Sequence, residues 1–125
     1  MNQIKTLDRR FSLCVRAREK FKCEYCHGSF SWDPSRLQCS HFHSRRLKSV
    51  RFDPENCACM CGNCHQYLDM HPREYAKWKR AKLGEERFEA LRLRSQRIVK
   101  LDLAEIKALI TALEAECVSC CFSSE

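Results

Sequence analysis

Cys57-Ala58-Cys59-Met60-Cys61-Gly62-Asn63-Cys64-His65 decides the fold, because its closing thiol pair answers an earlier one, Cys23-Glu24-Tyr25-Cys26, across 34 intervening residues. Each CxxC sets two thiolates on one side of a tight turn. Four thiolates satisfy zinc, a borderline-soft ion with no geometric demand beyond the tetrahedron. Such a closed site is structural and leaves no position for substrate. The alternating run Cys57-Ala58-Cys59 reads as a brief strand entering the second knuckle. Cys59 could replace Cys61 by strand register, but the symmetry of the two CxxC pairs favours Cys61. A redox dithiol or a set of buried thiols would explain one pair, and neither explains two so well.

Outward from the knuckles, composition narrows the class. The chain has 125 residues, with 11 cysteines, 5 histidines, 23 Lys+Arg against 16 Asp+Glu, and a formal net charge of +7. That length suits one domain, organised as an N-terminal helix in 1–22, a zinc-stabilised core in 23–70 and a helical extension in 71–125. Disulfides do not persist in a reducing cytosol, and an odd thiol count cannot close a disulfide framework, so metal is the first expectation. No apolar run reaches the roughly 18 residues of a membrane span, and Met1-Asn2-Gln3-Ile4-Lys5 has no apolar secretory core. A soluble cytoplasmic protein with no membrane partner is therefore expected. With 3 Gly, 3 Pro and 31% charged residues on regular apolar spacing, the chain is neither low-complexity nor disordered.

Charge is uneven. Residues 1–100 carry 22 basic and 11 acidic side chains (+11), whereas 101–125 carry one basic and five acidic (−4). The first four-fifths thus favours polyanions, through a counterion-release attraction that is blind to sequence and weakened by salt.

Ile4, Leu7, Phe11, Cys14 and Val15 recur at helical steps between basic residues, which predicts an amphipathic helix over about 6–20 whose basic side chains face solvent or DNA. Alternation predicts two short strands, Phe30 to Trp32 and Leu37 to His43, on either side of the Asp33-Pro34-Ser35 turn. Segment 44–56 reads as a loop. Beyond the second knuckle, Pro72 suits a helix start and Gly84 its end, and a further helix turns Phe88 and Leu91 inward. Asp102 with Glu105 resembles a capping box before a last helix, 103–117, whose apolar stripe could pair two chains into a homodimer or cover the metal domain. Cys39, Cys57 and Cys59 read as small buried apolar residues, and Cys117, Cys120 and Cys121 as helix-face or tail thiols without a metal role.

The histidines follow a fixed order on this frame. Leu37-Gln38-Cys39-Ser40-His41-Phe42-His43 lies between the knuckles, Asn56 stands five residues before Cys61, and His65 follows Cys64. With Cys23-x-x-Cys26, Cys39-Ser40-His41-Phe42, Arg45-Arg46, Val50-Arg51-Phe52-Asp53-Pro54-Glu55-Asn56-Cys57 and Cys61-x-x-Cys64-His65, residues 23–69 resemble the HNH endonucleases of the His-Me finger (ββα-metal) class. The likeness is greatest to small phage recombination nucleases of the NinG/Rap type. It extends to the flanking Leu7-Asp8 to Arg18 helix and the Leu83-Gly84-Glu85-Glu86 turn.

The resemblance implies an α+β fold: a small ββα-metal, treble-clef-like zinc core flanked by an N-terminal helix and C-terminal helices. It implies a nuclease acting on branched or structured DNA in phage recombination, working in the bacterial host cytoplasm. His41 would be the general base, Asn56 would hold the loop and the base in place, and His65 would bind a catalytic Mg²⁺ or Mn²⁺. The physical needs agree. Phosphodiester hydrolysis needs an imidazole able to take a proton from water near neutrality, and a divalent ion to neutralise charge on the phosphate and the leaving oxygen. A neutral Asn amide can brace a ring or backbone without adding charge. Arg45, Arg46, Lys48 and Arg51 would grip flanking phosphates.

One position departs from the pattern. Many HNH proteins carry an acidic residue or histidine just before the base as the second ligand to the ion, and here Ser40 stands there. Asp69, four residues after His65, is the preferred replacement, because hard oxygen suits Mg²⁺ or Mn²⁺; His43 is the alternative. His71 is expected at a helix start and His27 at the knuckle rim.

Overall fold

Asn2 opens the first helix: its side-chain oxygen accepts the N–H of Ile4 at 3.0 Å, and α1 runs Gln3–Arg18. In this computed structural model, which describes residues 2–122 and the side chains of 2–117, the helix begins and ends a little before the expected span. It stops because Lys20 and Phe21 take left-handed φ values of 53° and 58°. Leu7, Phe11, Cys14 and Val15 form its buried stripe. Each fully buried side chain of this kind contributes about 1.5–3 kcal/mol.

The turn after α1 is pinned by a bridge between Lys22 and Ser29. Phe30 to Trp32 is not a strand. Phe30 donates its N–H to Phe21 O and accepts that of Asp33, so the chain folds back before Pro34, and Arg36 lies over the Phe30 and Trp32 rings at 5.9 and 5.4 Å. The sheet is instead β1, Leu37–His41, paired antiparallel with β2, Cys57–Cys61, in the register Leu37–Cys61, Cys39–Cys59, His41–Cys57. One face therefore carries Leu37, Cys39 and His41 beside Cys57, Cys59 and Cys61, and the other carries Gln38 and Ser40. Phe11 of α1 approaches the His41 ring on the first face, with centroids 6.5 Å apart.

Cys61 caps α2, Gly62–Met70; Pro72 then begins α3, Pro72–Leu83, and Gly84, at φ 84°, turns the chain into α4, Glu85–Ser95. Tyr75 of α3 reaches the second sheet face, where its hydroxyl shares a short hydrogen bond with Ser40. Asp102 accepts the N–H groups of Ala104 and Glu105 at 3.0 and 3.2 Å, and α5, Leu103–Phe122, follows. Its stripe is used internally: Ile106 and Ile110 are buried, Leu113 packs on the same core, and Glu114 pairs with Arg10 of α1 at 2.7 Å. Thus the last helix packs on the first, and Arg10 is paired across the two helices at the surface. Over the described residues the chain is a small α+β domain of five α-helices and a two-stranded sheet. Among the described residues no helix is long and apolar enough to cross a membrane.

Candidate functional site

The two knuckles meet. The Sγ atoms of Cys23, Cys26, Cys61 and Cys64 all lie within 4.8 Å of one another. A zinc tetrahedron with bonds of about 2.3 Å has edges of about 3.8 Å, so a small contraction would bring all four onto one ion. The first pair is set by a turn in which His27, at φ 64°, donates its N–H to Cys23 O, and Cys23 donates to Gly28 O. A Cβ at residue 28 would lie 3.3 Å from the Phe30 ring, a tight contact, and at ordinary van der Waals distance from the Cys26 sulfur. Burial opposes ionisation of Cys23, yet amides of Cys26, Cys61 and Tyr25 directed at its sulfur outweigh this and lower its pKa. The second pair comes from the end of β2 and the first turn of α2. The cluster can hold a metal ion such as zinc.

Glu24, inside the first knuckle, is a residue that sequence reasoning passed over. It is buried, and its carboxylate meets Lys82 at 2.6 Å and Arg18 at 3.6 Å. Arg18 also donates to the carbonyls of Pro54 and Cys57, so this basic residue of α1 is committed to the interior.

A cleft of about 550 Å³ brings His41, His65 and Asp69 together with Arg16 and Arg45. His41 Nε2 lies 2.9 Å from the carbonyl oxygen of Arg51, which can only accept; Nε2 therefore carries the hydrogen and Nδ1 the lone pair. Burial, ahead of the other influences, lowers the His41 pKa below 6.5 and keeps the ring neutral near pH 7. His65 Nδ1 stands 2.6 Å from the side-chain oxygen of Gln38, and its Nε2 stands 3.3 Å from Asp69. With Nδ1 donating to Gln38, the lone pair of Nε2 faces the Asp69 carboxylate, an arrangement that can hold a cation. Gln38 was not among the expected site residues, because its role depends on a helix 27 residues away.

Asn56 does not line the cleft and is fully buried. Its amide donates to His43 O at 2.9 Å and Val50 O at 3.2 Å, its side-chain oxygen accepts His43 N–H at 2.8 Å, and its carbonyl accepts Phe42 N–H. It ties both ends of the 42–50 loop.

Three expectations are corrected. Arg51 is not free for phosphate: it forms a two-point ion pair with Asp8 of α1, and its side chain is 18% exposed. Lys48 opens on another groove, beside Arg94, Arg97 and Lys100, and Arg46, although exposed, does not line the cleft, which leaves Arg45, 61% exposed and 3.8 Å from the same Asp8, with Arg16 added. His43 is not on the cleft, because β1 ends at His41 and the two-residue alternation ends with it; its ring packs on Phe42 at 4.7 Å and its Nε2 is buried without a partner. Cys57 is buried in the apolar core and Cys39 packs against it, as expected, and their sulfurs and a His41 ring nitrogen also lie within 4.8 Å of one another. Cys59 is buried among apolar residues, as expected. Ser40 turns its hydroxyl to Tyr75, His27 is exposed beside the first knuckle, and His71 caps α3. Cys117 donates to Cys14 O at 3.4 Å; the side chains of Cys120 and Cys121 lie outside the described residues.

A family model described as a CXCXC repeat matches residues 51–61, the segment that contains Cys57, Cys59 and Cys61. No curated protein and no solved structure matches the chain.

Proposed function

We propose that this chain is a metal-dependent DNA endonuclease of the HNH type, with β1, β2 and α2 as its ββα-metal core and a structural zinc on Cys23, Cys26, Cys61 and Cys64. One observation carries the reading: a neutral imidazole with a free lone pair, His41, shares a basic-rimmed cleft with the His65–Asp69 acceptor pair. The donor set suits a hard divalent ion, since one carboxylate and one imidazole with several waters is a normal Mg²⁺ or Mn²⁺ environment. Bound there, the ion would act as a Lewis acid toward the phosphate and the leaving oxygen.

The chain's own residues supply the rest. His41 takes a proton from the attacking water at Nδ1, while the Arg51 carbonyl fixes the ring through Nε2. Asn56 braces the loop that leads to Arg51. Gln38 orients His65, and Arg16 with Arg45 offsets the charge of the phosphates on either side. The preference for branched or structured DNA in recombination rests on the resemblance alone.

A second reading is favoured by Ser40, whose hydroxyl is spent on Tyr75. In it the chain is a catalytically idle zinc module that binds nucleic acid or a partner protein. Nicking of plasmid and four-way-junction DNA with Mg²⁺ or Mn²⁺ separates the two. Activity in wild type that is lost in His41→Ala at equal zinc content supports the nuclease. Equal behaviour of the two proteins removes His41 as the base, and salt-sensitive binding without cleavage selects the idle module.

A further inference from the structure

The sheet face under α1 carries a second group of metal-ligating atoms that the structural cluster does not use. Cys57 stands directly across from His41 in the antiparallel register, and Cys39 is two residues before His41 on the same face. All three side chains spring from paired strands, so their relative positions are set by the backbone ladder. We propose that the sulfurs of Cys39 and Cys57 and the free ring nitrogen of His41 form a second metal site, open toward the cleft, that takes a thiophilic divalent ion of the zinc class.

The donor chemistry fits. Two sulfurs and one imidazole suit zinc-class ions and are a poor set for Mg²⁺. The His41 ring is already prepared as a metal-bound imidazole would be, with its other nitrogen donating to a backbone carbonyl at 2.9 Å. The Cys39 and Cys57 sulfurs are within hydrogen-bond reach of each other, and Arg16 and Arg18 add positive charge nearby. Cys57 is fully buried, whereas Cys39 is half-buried and lines the cleft, so an ion has a way in and a fourth position remains for water. Buried apolar thiols would need neither the histidine nor the opening.

The site is distinct from the four-thiol cluster. Cys57 and Cys61 lie four residues apart on β2, roughly 13 Å along an extended strand. An ion on His41 would occupy the lone pair that the proposed base needs. That consequence, unlike the site itself, rests on the nuclease reading.

The test uses the full chain loaded with one equivalent of zinc and titrated with further Zn²⁺ and, separately, Co²⁺. A second equivalent should bind, and the second Co²⁺ should show weaker sulfur charge-transfer absorption than the first, as expected for two thiolates instead of four. In Cys39→Ser and Cys57→Ala the second equivalent should be lost while the first ion and the circular dichroism persist. If Cys57→Ala does not fold, Cys39→Ser decides alone, because that side chain is half-buried. Saturation of wild type at one equivalent, or two equivalents retained by Cys39→Ser, overturns the proposal. Nicking under fixed Mg²⁺ adds a separate arm, in which the second zinc should abolish wild-type cleavage. If that ion binds and cleavage is unchanged, the site stands and the role of His41 as base falls.

Discussion

Glu24 and Cys59 exchange two hydrogen bonds: the Glu24 N–H donates to the Cys59 carbonyl at 2.8 Å, and the Cys59 N–H donates to the Glu24 carboxylate at 2.7 Å. This exchange fastens the first knuckle to the middle of β2, so that Cys23 and Cys26 arrive beside Cys61. Arg18 and Lys82 complete the carboxylate's surroundings. Removing it leaves a buried N–H and two cations without their partner. Glu24→Ala should lose about 3 kcal/mol of stability and bind zinc more weakly, whereas Glu24→Gln, which can still accept from Cys59, should lose less. Denaturant unfolding and competition with a chelator measure both effects.

Asn56 should matter to the loop more than to zinc. Asn56→Asp cannot donate to His43 O and Val50 O, and it buries a charge between two carbonyls. A loss of about 2–4 kcal/mol is expected, with slower nicking at unchanged zinc content. Zinc analysis beside a nicking assay checks this, and full activity in a destabilised Asn56→Asp would separate the residue from catalysis.

Arg45 and Arg51 should separate binding from folding. Arg45→Ala should weaken DNA affinity across sequences and reduce the salt slope of log K by about 1. Arg51→Ala, by releasing Asp8, should mainly lower thermal stability. Salt-dependent binding of both variants beside wild type decides the matter, and slopes unchanged from wild type in both would show that neither arginine meets phosphate.

Lys79 gives a pH dependence with a definite sign. Burial pushes its pKa down from 10.5 to about 8, against the pull of Glu24. Between those values the unfolded chain holds more protons, so stability should rise with pH over about 8 to 10.5; below 8 the full cost of the buried charge is present. Lys79→Met should therefore be the more stable protein at pH 7, by on the order of 1–3 kcal/mol, with the gain fading toward pH 10.5. Paired denaturant curves at the two pH values cancel the contribution of the thiols.

With zinc on the four thiols, its withdrawal should unfold the core. A strong chelator, or Cys64→Ser, should cost much of the cooperative transition, because a site that forms only in the folded chain turns its binding free energy into folding free energy. Calorimetry with and without zinc is the measure, and an unchanged transition would assign the four thiols to packing alone.

The local features were legible and the distant ones were not. CxxC spacing, the Asp102 cap, Pro72 and Gly84 each act within a few residues, and all stand where expected. The partner of Leu37–His41 lies beyond a 15-residue loop, and alternation at Phe30 to Trp32 imitated a strand that Pro34 and the turn before it prevent. Likewise Asp8 meets Arg51 across 43 residues, and only the register reveals that Cys39 and Cys57 flank His41. Charge composition shows how many cations exist and not which are already paired.

Every second residue of β2 is a cysteine, and they all point to one side. Shifted by one residue against β1, the strand would carry those thiols to the layer where Tyr75 sits, and the knuckle of Cys23 and Cys26 would find no counterpart. An ion able to close over four sulfurs thus accepts a single alignment of the two strands and proofreads the assembly of the domain each time it folds.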